Sequence, residues 1–170
     1  MPCDLTSSRT RNCKNKLAGQ SKIYFNNFVE DPFTIVAGEA TAVNPLLTEV
    51  YEYELEGDGN TLVESLVSDR NTGTSVNTQT LTTILKGLSA ANGAELNLMA
   101  YGYPQVVVKD RNGEYHSVAY DDGMDFTVEK VTGGAKTDLT GYTLTGVATT
   151  GALSAHLDAA TVTAFLLLVV

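Results

Sequence analysis

Two rhythms of apolar and polar positions run along this chain, and the commoner one is that of strands. Short apolar or alternating runs are separated by clusters of Gly, Asn and Asp, as strands are by tight turns. "KIYFNNF" (Lys22 to Phe28) and "FTIVAG" (Phe33 to Gly38) read as the first two strands. In "EVYEYELE" (Glu49 to Glu56), Tyr51, Tyr53 and Leu55 share one face and Glu52, Glu54 and Glu56 the other, which predicts a half-buried strand with an acidic outer face. "TLVESLVSD" and "TSVNTQTLTTILKGL" follow, separated by "RNTG"; the density of β-branched residues in the second predicts strand at least to Leu85. "QVVVKD" and "EYHSVAY" flank "RNG" and predict a hairpin. "MDFTVEKV" and "GYTLTGVAT" add two strands, and "TGALSAHLDAA" reads as a connector.

The second rhythm, helical, occupies one window. Ser89 is a candidate N-cap for Ala90 to Tyr101, whose inner face is expected to carry Ala91, Ala94, Leu98 and Met99. Gly102 suits the left-handed position that ends a helix, and Pro104 forbids continuation. The fold class predicted is therefore mainly β, an antiparallel β-sandwich or barrel with one flanking α-helix at about residues 89–101.

The chain closes on "TAFLLLVV", which fits neither rhythm. Continuous apolarity predicts a strand covered on both faces, Thr161 to Val170. Two placements of Phe165, Leu166, Leu167 and Leu168 follow: a central strand of the chain's own sandwich, or a strand donated to the next subunit. Either way the leucines are expected to be buried. A membrane anchor fails on length, since a span takes about 20 residues.

Charge changes this picture at one end. Of 170 residues, 43% are hydrophobic and 18% charged, as in globular proteins, and the net charge is −9. Residues 1–22 hold five bases against one acid, +4, and the remainder six against nineteen, −13. The chain thus divides into a basic N-terminal arm, 1–22, and a single β-rich domain, 23–170. Arg9, Arg11, Lys14 and Lys16 make the arm a candidate for docking on an acidic neighbour or on nucleic acid, against the plainer reading of a solvated tail. The acidic whole argues against general nucleic-acid binding, which needs a basic footprint.

Candidate chemistry adds little. Cys3, Cys13, His116 and His156 match no zinc-site spacing, and the thiols are expected to be free. Asp58, Asp121, Asp122 and Asp125 sit in acidic turns without the ligand series of a calcium loop. There is no phosphate-binding glycine loop, nucleophile elbow or HExxH motif. The expectation is no enzyme and no cofactor.

The order of signals resembles a known group. A basic head, "CDLTSSRTRNCKNKLAGQSKIYFNNF", leads to the acidic strand "YEYELEGDGN", the helix "SAANGAELNLMAYG", the hairpin "VVVKDRNGEYHSVAYDDGMD" and "DLTGYTLTGVAT". This layout, over residues 3 to about 150, is similar to that of the tail tube proteins of tailed bacteriophages. The resemblance implies a virion protein made in the bacterial host cytoplasm, forming stacked homo-hexameric rings beside other virion proteins. Genome DNA passes through the lumen without specific binding, and no membrane is involved. Glu52, Glu54 and Glu56 are candidates for an acidic lumen face that repels phosphate. The alternative classes are a capsid-associated protein, either head decoration or head–tail connector component, and a monomeric ligand-binding β-sandwich.

Overall fold

The computed structural model describes residue 5 and residues 7–170; Cys3 and the expectation of its free thiol lie outside them. The elements in order are β1 (Gln20–Asn26), β2 (Phe33–Val36), β3 (Glu39–Val43), β4 (Tyr51–Glu54), β5 (Thr61–Asp69), β6 (Thr74–Lys86), α1 (Ala90–Tyr101), β7 (Gln105–Asp110), β8 (Tyr115–Val118), β9 (Asp125–Val131), β10 (Gly141–Thr150), β11 (Ala155–Leu157) and α2 (Ala159–Leu166). A large sheet runs β2-β3-β11-β8-β7-β1-β4 and a small one β5-β6-β10-β9. Paired strands are antiparallel except β3 with β11. The fold class is the expected one: mainly β, two antiparallel-rich sheets in a sandwich-like arrangement, with a flanking helix.

The central strands of the large sheet explain its position. Ile23, Tyr24 and Phe25 of β1 and Val106, Val107 and Val108 of β7 are all buried, so both faces of the sheet are covered. On one face, Ile23, Phe25, Val106, Val108 and Val118 pack with Leu81, Phe126, Tyr142 and Leu144 of the small sheet and with Leu96 and Met99 of α1. On the other, Tyr24, Val107 and Tyr115 pack with Phe33, Ala40, Leu47, Val50 and Phe165. Continuous apolar runs in a sheet buried on both sides are the expected consequence. The resulting order is small sheet with α1, large sheet, α2.

That third layer corrects the predicted closing strand. Thr161 to Val170 is not strand: α2 occupies Ala159–Leu166, and only Val169 makes a bridge, parallel to Val50. Asp158 caps the helix, accepting from the Thr161 N–H at 2.6 Å. Leucine and alanine favour helix, and the cap supplies the start that an apolar run alone lacks. Helical spacing then buries Thr161 and Phe165 on one side while Leu167, 82% exposed, points outward and Leu166 is exposed as well. Of Phe165, Leu166, Leu167 and Leu168, Phe165 alone is fully buried; Leu168 is half-buried, and there is no strand to donate.

Smaller corrections concern α1 and the connectors. α1 starts as predicted, with the Ser89 Oγ accepting from the Asn92 N–H, but its inner residues are Leu96 and Met99; Ala91, Ala94 and Leu98 are exposed. Gly102 is extended, φ −96°, rather than left-handed, because the chain turns straight into Tyr103-Pro104. β3 follows β2 through a turn at Ala37 and Gly38, both at positive φ. β11 lies inside the stretch read as a connector, which puts His156 in a strand rather than a loop.

Buried polar side chains tie the layers together. Gln79 of β6 accepts from the Ala119 N–H and donates to Glu64, linking the small sheet to the turn after β8. Gln105 bonds the Val29 N–H and C=O, the Tyr120 carbonyl and the Asn26 amide. Asn77 donates to Thr150 and Ala152. Such bonds are costly to leave unmade in an interior; the Gln79 bond joins the two sheets, and the Asn77 and Gln105 bonds hold neighbouring segments of one sheet.

Candidate assembly surfaces

The small sheet presents its second face to solvent, and the strand register writes its pattern. Leu62, Leu81, Phe126 and Leu144 point inward. Alternation therefore places Thr61, Thr82, Thr145 and Thr127 in one row across all four strands, since Thr61 pairs Thr82, Thr82 pairs Thr145 and Thr145 pairs Thr127. The neighbouring rows are Val63, Thr80, Val147 and Asp125, then Ser65, Thr78 and Thr149, on one side, and Ile84, Thr143 and Glu129 on the other. These rows carry hydroxyls and methyls, two carboxylates and no cation. The sequence signal, Thr at alternate positions of "TQTLTT" and "YTLTGVAT", was present; that the strands bring those threonines into register was not.

Among the described residues, both edges of this sheet, β5 and β9, lack a strand partner on their outer side. The β5–β6 hairpin also outgrows the body. Its far pairs, Val67 with Val76, Ser68 with Ser75 and Asp69 with Thr74, are exposed. Leu66, Val67 and Val76 are exposed apolar residues along it. Unpaired edges and apolar groups on a projecting hairpin are features that pair with another chain.

The acidic row behaves differently from its expected role. Glu52 and Glu54 lie on β4, at the edge of the large sheet, and both meet Lys22 of β1, at 2.6 and 3.3 Å. The Lys22 ammonium holds the Glu52 carboxyl below its ordinary range. Glu56 lies beyond the strand and reaches Lys86 at 3.5 Å. Lys22 and Lys86 thus draw these carboxylates into local ion pairs.

Lys22 consequently belongs to β1 rather than to the arm, which ends where β1 starts, at Gln20. Arg9, Arg11, Lys14 and Lys16 are exposed, on a stretch without helix or strand. Among the described residues, no ion pair involves them. Two hydrogen bonds anchor the arm's base: Leu17 N–H to the Asn112 Oδ1, and the Asn112 amide to the Leu17 carbonyl.

The two histidines come together. His116 of β8 and His156 of β11 are register partners with ring centroids 4.5 Å apart, and the His116 Nε2 lies 3.8 Å from Asp110. Burial first, then the neighbouring His156, push the His116 pKa down, against the pull of Asp110. Among the described residues no group of three or more His, Cys, Asp or Glu side chains is placed to hold a metal ion. Nor, among them, is any helix long and apolar enough to cross a membrane. Compared with protein-family models, curated proteins and solved structures, the chain matches none of them.

Proposed function

We propose that the protein is a virion structural protein of a tailed bacteriophage, a tail tube subunit that assembles into stacked hexameric rings around a DNA-conducting lumen. The observation that carries the reading is the small sheet: among the described residues both its edges are unpaired, and four successive rows of its outward face carry two carboxylates and no cation. Joined edge to edge, copies of such a sheet close into a ring whose inner wall is that face. The lumen is thereby assigned to the rows around Thr82 and Thr145 rather than to Glu52, Glu54 and Glu56. A wall of hydroxyls and methyls without cations offers phosphate no counter-charge, so duplex DNA slides without sticking.

Particle images of the purified full-length protein test this. Tubes or six-fold rings are the expected result. Binding to capsid shells in place of ring formation would favour the capsid-associated alternative. A monomer at every concentration up to tens of micromolar would exclude self-assembly.

A further inference from the structure

Beside the open side of β4 lies a cleft of about 320 Å³, bounded by β4, the end of β6 and α1. Its floor is apolar, made by Tyr53, Ile84, Leu85 and Leu96. Its rim carries three carboxylates: Glu54 and Glu56 on one side, beside Lys22 and Lys86, and Glu95 of α1 on the other. β4 is the terminal strand of the large sheet, so among the described residues its outer main-chain groups have no strand partner. This is an edge beside an apolar trough with carboxylates on both banks.

The same chain carries a segment of complementary chemistry. The described residues of the arm, 5 and 7–19, are exposed, and the arm is basic at Arg9, Arg11, Lys14 and Lys16, with Leu5 almost wholly exposed. Its base is held by the β7–β8 turn: Asn112 bonds Leu17, and Arg111 bonds the Gly19 carbonyl and reaches the Gly57 carbonyl beyond β4.

Resting on the self-assembly reading above, we infer that the arm of one copy docks in the β4–α1 cleft of a second copy. Its main chain runs along the open side of β4, and its basic side chains meet Glu54, Glu56 and Glu95. Strand addition at a sheet edge supplies affinity through main-chain hydrogen bonds, and the charges on both banks set which segment enters. The charge division between arm and body is then a lock and its key on one chain, in a head-to-tail arrangement in which each copy's arm engages another copy.

Two full-length variants test the docking in trans. One reverses the arm, Arg9→Glu with Lys14→Glu; the other reverses the cleft, Glu56→Lys with Glu95→Lys. All four side chains are exposed, so both variants should match the parent by far-ultraviolet circular dichroism. In sedimentation velocity at low salt, each variant alone should associate at least about tenfold more weakly than the parent. Their mixture should recover association, because acidic arms then meet basic clefts, and added salt should abolish the recovery. Variants that each assemble like the parent, or a mixture that stays as weak as its components, would overturn the docking while leaving ring formation standing. Should a double change disturb folding, the single pair Lys14→Glu and Glu95→Lys gives the same comparison. A parent that is itself monomeric at tens of micromolar removes the self-assembly reading, and this inference with it.

Discussion

His116 is a residue whose titration the fold alters within the physiological range. In the unfolded chain its imidazole is solvated; in the sheet it is half-buried against the His156 ring, with Asp110 at 3.8 Å and Glu64 facing it from β5. Its folded pKa lies below the ordinary 6.5. The sign follows: the unfolded chain binds the proton more readily, so the contribution to stability is complete above pH 6.5 and is lost as pH falls through the lower folded value. We expect the thermal midpoint of the parent to drop more between about pH 7.5 and about pH 5.5 than that of His116→Gln, which keeps a polar side chain without the titration. Equal drops in a pair of calorimetric scans would show that the histidine pair does not carry the dependence.

At the scale of elements, α2 separates a greasy residue from a buried one. Phe165 is fully buried, edge-on to Tyr24 at 5.5 Å and tilted against Phe33 at 5.9 Å, so Phe165→Ala removes the centre of the outer layer. The expected cost is about 3–5 kcal/mol. Two positions on, Leu167 faces solvent, and Leu167→Asp should change stability by no more than about 0.5 kcal/mol. Urea unfolding of both variants distinguishes the helix from a strand: an internal strand would make Leu167→Asp the more damaging of the two, because it would bury an unpaired charge.

At the scale of the whole molecule, the small sheet faces outward and the β5–β6 hairpin reaches past it. Leu66 sits where the hairpin leaves the body, opposite the buried Asn77. Leu66→Asp should leave the monomer folded, since the side chain is exposed, yet weaken self-association by about tenfold or more if the hairpin is covered by a neighbouring copy. Light scattering across a dilution series reads the outcome; association unchanged from the parent would take the hairpin out of the interface.

Local order is what the sequence by itself determined. Alternation placed β4, β-branched density placed β6, turn-bounded runs placed β9 and β10, the RNG turn placed the β7–β8 hairpin, and Ser89 placed the start of α1, because each rests on neighbours in the chain. Even the cap of α2, Asp158, was written in the chain, though the apolar run after it obscured its meaning. Only the tertiary structure decided what each apolar face met. Phe165 is buried because the second face of the large sheet, with Tyr24 and Tyr115, needed cover, and a helix supplies one apolar side where a strand would need two. Glu52 and Glu54 meet Lys22 because register set Lys22 opposite Glu54 and beside Glu52, and His156 met His116 because β11 slots between β3 and β8. Threonines from four strands became one row for the same reason: pairing across distant stretches of chain depends on global packing, to which no local period has access.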